Sequence, residues 1–186
     1  MSDLPILYSF RRCPYAMRAR MALAASGAEV MLREVLLKDK PAELLATSTK
    51  ATVPVLVLSE DQVLEESLDV MQWALEHCDP LGWLDSAPLD SGWISECDGD
   101  FKHWLDRYKY AEGYPDHTAG DYRSNAEEFI QKLEHQLSVS DWVGGEAANA
   151  IDVALFPFIR QFAGVEPSWW QQAPYPKVRQ WLENWL

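Results

Sequence analysis

Hydrophobic and polar positions alternate in short blocks through the first part of the chain, and turn residues separate the blocks. The apolar run Ile6–Phe10 predicts a strand, Pro14–Ser26 has the composition of a helix, and Gly27 is a typical stop for it. A second strand is predicted at Glu29–Leu36, and the loop after it leads into a short helix that begins near Pro41. The inward face of the first helix is predicted, from its spacing, to carry Met17, Met21 and Ala24.

The next block predicts a hairpin and a third helix. Val53–Leu58 and Gln62–Glu65 are apolar strands joined by the polar turn Ser59–Asp61, and Ser67 is the expected cap of a helix that runs to about His77. A strand–helix–strand opening followed by an antiparallel hairpin predicts a mixed sheet with helices on both faces. The first part is therefore an α/β domain of order βαβαββα.

The pattern changes after Cys78. Residues 79–90 carry Pro80, Gly82 and Pro88, which predict a linker, and no convincing strand follows. The helical stretches beyond it are Ile94–Ala111, Asp121–Leu137, Ile151–Phe162 and Lys177–Leu186. Asn149 and Asp152 predict a variant capping box at the start of the third of these helices. We therefore predict an α/β domain at 1–78, a linker at 79–90 and an all-α domain at 91–186.

Composition narrows the classes of function. The 186 residues have a formal net charge of -13, which argues against a nucleic-acid partner because phosphate binding needs a basic surface. The chain has no apolar run of eighteen residues and no basic, apolar leader, so neither a membrane partner nor secretion is expected. Three widely spaced cysteines suit the reducing cytoplasm better than a disulfide framework.

Cys13 lies between the first predicted strand and helix, in the stretch RRCPYAMRAR, which contains four arginines and no acid. Unpaired N–H groups at a helix start favour an anion, and Arg11, Arg12 and Arg18 add positive charge. Thiols in such settings ionise near neutral pH, so Cys13 is the candidate catalytic nucleophile, with a buried, inert cysteine as the alternative. Arg11 and Arg12 are interpreted as tuning the site, and Arg18 and Arg20 as surface residues of the helix.

The spacing of the remaining cysteines and histidines restricts the chemistry of Cys13. A dithiol redox centre needs a second cysteine three residues after the first, and that position is Ala16. A mixed disulfide at Cys13 must therefore be resolved by an outside thiol. His77 and Cys78 are too close together for the usual ligand spacing, and the other histidines form no recognised pattern, so no metal site is predicted.

Polar and backbone groups further along the chain are candidates for binding that outside thiol. A cis Val53–Pro54 bond would turn the Val53 backbone toward an extended peptide, whereas a trans bond would mark an edge strand; the sequence leaves both open. Glu66 can accept an ammonium group, and the helix start at Ser67 can hold a carboxylate, although capping alone explains a serine there. Lys40 is a candidate partner for a second carboxylate or an ordinary surface lysine.

Taken together, these motifs resemble the cytosolic glutathione transferase family over nearly the whole chain. The matching pieces occur in the family's order and spacing: Cys13-Pro14-Tyr15-Ala16, Leu37-Lys38-Asp39-Lys40-Pro41, Val53-Pro54-Val55-Leu56, Glu66-Ser67 and the Asn149–Asp152 cap. The resemblance implies a thioredoxin-like N-terminal domain and a helical C-terminal domain. A cysteine in place of a catalytic tyrosine or serine is similar to the omega class and to related bacterial members.

The resemblance also implies roles for the matching residues. Cys13 would form a mixed disulfide with glutathione, the co-substrate, and the residues that would bind glutathione are Tyr15, Lys40, Val53, Pro54, Glu66 and Ser67. Trp104 and Tyr108, with Tyr110 as a further candidate, would form the wall of a second-substrate pocket, although an aromatic stripe of this kind is also typical of a helical core. The family further implies a homodimer. The chain is shorter than most members and is expected to lack late helices that cover this pocket.

The predicted function is glutathione-dependent thiol transfer or reduction through the Cys13 thiolate. Expected substrates are small electrophilic or disulfide compounds, such as mixed disulfides, dehydroascorbate or quinone conjugates. Two alternatives use the same fold: a non-catalytic interaction or regulatory protein of the stringent-starvation type, and a glutathione-binding sensor in which oxidation of Cys13 is the signal.

Overall fold

The computed structural model describes residues 4–186 and divides into two compact units, with the boundary between Asp85 and Ser86. The boundary falls within the segment 79–90 that the sequence predicts as a linker. The first unit contains a sheet and helices, and the second contains only helices among its regular elements. The expected combination of an α/β domain and an all-α domain is confirmed.

The first unit is built on a four-stranded mixed sheet with strand order β2-β1-β3-β4. The central pair β1 and β3 is antiparallel, as is the hairpin β3–β4, whereas β1 and β2 are parallel. The elements are β1 (Ile6–Ser9), α1 (Pro14–Ser26), β2 (Met31–Glu34), α2 (Ala42–Thr47), β3 (Val55–Ser59), β4 (Gln62–Leu64) and α3 (Ser67–His77). This is the predicted order βαβαββα.

Alternation along the central strands creates a core on each face of the sheet. Tyr8 and Val55 lie opposite each other in β1 and β3 and pack with Leu44 of α2 on one face. Leu7 and Leu56, the next pair along these strands, are buried on the other face, and α1 and α3 pack against each other. Cys13 packs at the edge of the cluster that contains Tyr8, Val55 and Leu44. The position of the candidate nucleophile therefore depends on a well-packed core.

The inward face of α1 differs from the prediction. Met17 and Met21 are half-buried and Ala24 is exposed, whereas the face that is buried carries Ala16, Ala19, Ala22 and Leu23. The prediction followed the largest apolar side chains, but alanines allow a helix to approach its neighbours closely. The prediction of the inward face is therefore wrong: the helix is rotated about its axis, so that the alanine face and not the methionine face is buried.

The edge strand β2 is shorter than the predicted Glu29–Leu36. It covers Met31–Glu34, and all four side chains are exposed. The apolar composition of this stretch predicted a longer strand, but a strand at the edge of a sheet buries fewer side chains than a central one. Its N-terminal end is joined to the sheet by the Met31 N–H, which donates to the carbonyl of Pro5 at 2.7 Å.

Within the predicted linker, a short helix α4 (Trp83–Ser86) is present. The Asp79 carboxylate accepts bonds from the backbone N–H groups of Trp83 and Leu84 at 2.9 and 2.7 Å. The Trp83 side chain is buried, so this segment is ordered by capping and by burial of one large ring. The proline and glycine residues of this segment gave no indication of the helix.

The second unit consists of helices. They are α5 (Gly92–Glu96), α6 (Lys102–Lys109), α7 (Ala119–Val139), α8 (Ala150–Ala163), α9 (Pro167–Gln172) and α10 (Pro176–Glu183). A π-helical segment, Cys97–Phe101, joins α5 to α6 without a break, so the predicted Ile94–Ala111 helix contains a wider turn that its pattern did not reveal. In this segment Cys97 and Phe101 are buried. Helix α9 was not predicted, since its sequence PSWWQQ has no helical periodicity.

Capping fixes the ends of the two long helices. At α7, the Thr118 hydroxyl accepts from the Asp121 N–H at 3.2 Å while the Asp121 carboxylate accepts from the Thr118 N–H at 2.9 Å, which is a complete capping box. At α8, Asn149 Oδ1 accepts from the N–H groups of Ile151 and Asp152.

Over residues 4–186, the structure contains no helix long and apolar enough to cross a membrane.

Candidate active site

Cys13 is the N-cap residue of α1, with extended backbone angles and no side-chain cap bond of its own. Its N–H donates to the Phe10 carbonyl at 3.0 Å, and its carbonyl accepts from the Met17 N–H at 2.9 Å. The side chain is half-buried, and Pro14 occupies the first helical position as predicted. A thiolate here would face the unpaired N–H groups and the positive end of the helix dipole.

Val53 is the backbone neighbour of the thiol. Cys13 Sγ lies 3.6 Å from the Val53 carbonyl oxygen, at hydrogen-bond distance for sulfur. The Val53–Pro54 bond is cis, which is one of the two arrangements that the sequence left open. Both residues are buried, and β3 begins immediately after them at Val55. The structure thus brings two of the predicted site residues, 40 positions apart in sequence, into contact.

Arg20 corrects one sequence interpretation. It is not a free surface residue of α1. Its guanidinium donates to Ser9 Oγ at 2.5 Å, to the Phe10 carbonyl at 3.3 Å and to the Arg11 carbonyl at 3.0 Å. Burial lowers the pKa of Arg20, while attraction to Glu34 and then to Cys13 raises it. The sequence contained a signal for this contact, since Arg20 is seven residues after Cys13 and so lies on the same side of the helix.

Arg18 corrects the same interpretation. Its side chain is fully buried, and its Nη1 lies 3.5 Å from Ser67 Oγ. The guanidinium carbon is 5.5 Å from the centre of the Tyr15 ring, a cation–π distance. Ser67 is buried as the first residue of α3, and the N-cap position belongs to Glu66, so the prediction that Ser67 caps the helix is wrong. Arg18 therefore connects Tyr15 and Ser67, two of the predicted binding residues.

Glu66 is exposed and forms an ion pair with Lys50. The side-chain bond to Glu66 raises the pKa of Lys50, so the Lys50 ammonium group stays charged at neutral pH. Lys50 was not singled out from the sequence, although it lies only three residues before Val53. Lys40 is half-buried at the end of the loop that leads into α2, two residues before Ala42.

The aromatic residues predicted as a second-substrate wall lie in the second unit, on α6. Trp104 is half-buried, and its ring contacts those of His103 and Tyr122 at centroid distances of 4.7 and 6.3 Å. Tyr108 is only 2% exposed, and its hydroxyl donates to Glu166 Oε2 at 2.7 Å. Tyr110 is 55% exposed. Of the three rings, Tyr108 is the one that packs in the helical core.

Burial and the bond to Glu166 raise the pKa of Tyr108. The same Glu166 carboxylate accepts a bond from Arg123 at 2.5 Å, and the guanidinium of Arg123 lies 4.3 Å from the Trp169 ring centre. The Tyr108 bond, followed by that of Arg123, lowers the pKa of Glu166. This network joins α6, α7 and the start of α9 and explains why the Tyr108 hydroxyl is directed into the unit.

The helical unit contains a cleft that Cys13 does not line. A cleft of about 840 Å³ lies between α5 and α7, and its polar lining includes Glu96, Glu128, Lys132 and His135. Lys132 is paired with Glu96 there, so its charge is already neutralised. The described residues contain no group of three or more side chains suited to a metal ion. We therefore locate the candidate site by its chemistry, at Cys13.

Comparison with known proteins gives a consistent result. The sequence profile for the glutathione S-transferase N-terminal domain matches residues 7–80, and that for the C-terminal domain matches residues 92–184. Glutathione S-transferase U22 of Arabidopsis thaliana is 28% identical over 177 residues, covering 89% of this chain and 77% of the relative. Glutathione S-transferase omega-1 of Sus scrofa is 26% identical over 165 residues, covering 86% and 68%.

Solved structures share the fold. A glutathione transferase family member from Pseudomonas fluorescens, with two glutathione molecules bound, superposes with a TM-score of 0.79 at 19% identity and covers 99% of this chain and 88% of its own. Glutathione S-transferase-I bound with lactoylglutathione gives a TM-score of 0.77 at 16% identity, with coverage of 98% and 94%. Together with the two profiles, which account for most of the chain, these likenesses confirm the resemblance: the chain belongs to the glutathione S-transferase family of enzymes.

Proposed function

We propose that the chain is a cysteine-type glutathione transferase that carries out glutathione-dependent thiol transfer. The observation that carries the proposal is the placement of Cys13: a half-buried thiol at the start of α1, 3.6 Å from the Val53 carbonyl, with Ala16 where a dithiol enzyme has its second cysteine. A cysteine in this position forms and releases disulfides more readily than it acts as a hydroxyl-type donor.

The reaction proceeds by two thiol–disulfide exchanges. The Cys13 thiolate attacks the glutathionyl sulfur of a mixed disulfide, the S–S bond breaks, and the substrate leaves as a thiolate that takes a proton from water. Free glutathione, as its thiolate, then attacks the glutathionyl sulfur on Cys13. This exchange releases glutathione disulfide and restores the Cys13 thiolate, so one free glutathione is consumed for each mixed disulfide reduced, and the other half of the glutathione disulfide comes from the substrate.

Glutathione binds in this proposal to the first unit. The Val53 backbone, just before Pro54, pairs with the cysteinyl part, and Glu66 and Ser67 bind the γ-glutamyl end. Lys40 binds the glycyl carboxylate, and Tyr15 borders the thiol. Support comes from the contacts Cys13–Val53 and Arg18–Ser67, from the cation–π contact of Arg18 with Tyr15, and from the two glutathione molecules bound in the Pseudomonas fluorescens relative.

The second substrate in this proposal is a small disulfide or electrophile, of the dehydroascorbate or quinone-conjugate type. Trp104 is the better candidate for the wall of the second-substrate pocket, since its ring is half-buried whereas the Tyr108 hydroxyl is bonded to Glu166.

The three cysteines are all free, which supports a reducing, cytoplasmic location. We also propose a homodimer, which sedimentation velocity will test.

Replacement of the nucleophile tests the proposal. We expect Cys13→Ser to lower kcat/KM for glutathione-dependent reduction of the 2-hydroxyethyl–glutathione mixed disulfide by about 10³-fold or more, because the variant cannot form the covalent intermediate. Cys78→Ser, which removes an exposed cysteine, is the matched control and should retain native turnover. Absence of turnover in the native protein, or equal turnover in Cys13→Ser, would overturn the thiol-transfer reaction and favour a binding or sensor protein.

A further inference from the structure

The loop that presents Cys13 is held by one side chain from α1. Arg20 donates to Ser9, Phe10 and Arg11, three consecutive residues that precede the nucleophile. Ser9 is fully buried at the end of β1, and the bond to its hydroxyl is the shortest of the three at 2.5 Å. The planar fork of a guanidinium can reach several acceptors at once, which an ammonium group cannot do in the same geometry.

The contact continues directly to the nucleophile. The Phe10 carbonyl that accepts from Arg20 also accepts from the Cys13 N–H at 3.0 Å. A second attachment holds the same loop to β2, since the Arg11 N–H donates to Glu34 Oε1 at 2.7 Å. Arg20 therefore holds in place the Phe10 carbonyl, which in turn positions the Cys13 N–H.

The positive charge of Arg20, like its hydrogen bonds to the loop, favours a reactive Cys13. The guanidinium is half-buried, so solvent screens its field less than that of the exposed Arg11 and Arg12. A cation that remains charged beside a thiol stabilises the thiolate, which is the reactive form. Arg20 both bonds to the loop and is attracted electrostatically to Cys13.

We propose that Arg20 is a positioning residue for Cys13: it clamps residues 9–11, so that the thiol is held beside Val53, and it supplies a partly desolvated positive charge. This inference rests on the proposed function for its catalytic meaning. It concerns the reactivity of the thiol itself, however, which can be measured without glutathione.

Alkylation of Cys13 by iodoacetamide, an uncharged reagent, tests the inference. The measurements use the whole protein in a Cys78→Ser background, since Cys97 is buried and only Cys13 then reacts readily. We expect Arg20→Met to lower the alkylation rate at pH 7 about tenfold, in line with the loss of charge-assisted bonds, and Arg20→Lys to recover part of the rate. Arg33→Gln removes an equal charge from the exposed strand β2 and should stay within about twofold of native.

Glutathione affinity, measured by calorimetry, separates positioning from general damage. Arg20 touches none of the residues proposed to bind the γ-glutamyl or glycyl ends, so the Kd of Arg20→Lys should stay within about threefold of native. If the native protein binds no glutathione, the proposed function fails while the alkylation contrast still decides the role of Arg20. A native alkylation rate in folded Arg20→Met overturns the inference, as does an equal loss in Arg33→Gln. If Arg20→Met does not fold, the test rests on Arg20→Lys. A native alkylation rate in Arg20→Lys would then overturn the inference, as would a loss of alkylation rate that is matched by an equal loss of glutathione affinity.

Discussion

At the scale of single residues, the ion pair between Glu66 and Lys50 shows what the sequence leaves undetermined. Glu66 was identified by its position before a predicted helix, whereas Lys50 belongs to an irregular loop with no pattern to mark it. The two meet because the chain turns from that loop through Val53 and the hairpin back to α3. Side-chain partners in loops follow from the path of the backbone, which local periodicity does not encode.

Glu66→Gln gives a prediction at this scale. If the carboxylate binds the γ-glutamyl ammonium, its replacement removes a charge-assisted bond, and we expect the glutathione Kd to rise about tenfold. Calorimetry with Glu60→Gln, an exposed acid in the β3–β4 turn, provides the control. The difference should shrink in 1 M salt, since Glu66 is exposed and screened. An unchanged Kd at low salt would remove Glu66 from the binding site.

At the scale of elements, the start of α8 depends on a buried carboxylate. Asp152 is fully buried; its Oδ1 accepts from the Val143 N–H at 2.9 Å and from Trp181 Nε1–H at 2.8 Å. The sequence predicted its place in the cap but not the bond to Trp181, which comes from α10. Burial raises the pKa of Asp152, although backbone N–H groups and the indole oppose the shift.

Substitution of Asp152 separates its hydrogen bonds from its charge. Asp152→Ala leaves the Val143 and Trp181 donors without an acceptor, and we expect a loss of about 2–4 kcal/mol in the free energy of unfolding. Asp152→Asn keeps an acceptor at Oδ1 and should lose less. Denaturant titrations at pH 7 compare the two variants, and equal losses would show that an acceptor at Oδ1 does not stabilise the cap.

The raised pKa of Asp152 also predicts a pH dependence. A carboxyl whose pKa is higher in the folded than in the unfolded state contributes stability that is fully present below the unfolded value, about 3.9, and is lost as pH rises through the folded value. The native protein should therefore lose stability relative to Asp152→Asn, which has no carboxyl to titrate, as the pH rises above about 4. Unfolding curves at several pH values measure this, and a constant difference would contradict it.

Prediction from sequence was successful where one local rule dominates. The order of strands and helices in the first unit and the cap at Asn149 follow from apolar periodicity and capping chemistry. The inward face of α1 was misjudged, since small residues such as Ala16 and Ala19 carry little hydrophobic signal but permit close packing. Arg18 and Arg20 were misjudged because arginine is usually exposed, and only the packed structure shows which ones are enclosed.

At the scale of the whole molecule, acidic residues outnumber basic ones by 29 to 16, and the sequence pI is about 4.6. At neutral pH the resulting repulsion keeps copies apart. Near pH 4.6 the net charge disappears, and we expect the lowest solubility and the strongest light scattering there, with recovery on either side. A scattering titration from pH 3.5 to about 8 tests this; a minimum displaced by more than about one unit would indicate that folding shifts many acids together.

The tryptophans are unevenly divided between the two units. Trp73 and Trp83 belong to the first unit, and seven of the nine belong to the helical unit, where Trp169 and Trp170 pack edge-on against Phe162 and Trp142 packs edge-on against Trp185. Intrinsic fluorescence will therefore be dominated by the helical unit and will follow its melting. Far-ultraviolet circular dichroism covers both units, so a difference between the two optical signals during unfolding will show whether the units lose structure together or in turn.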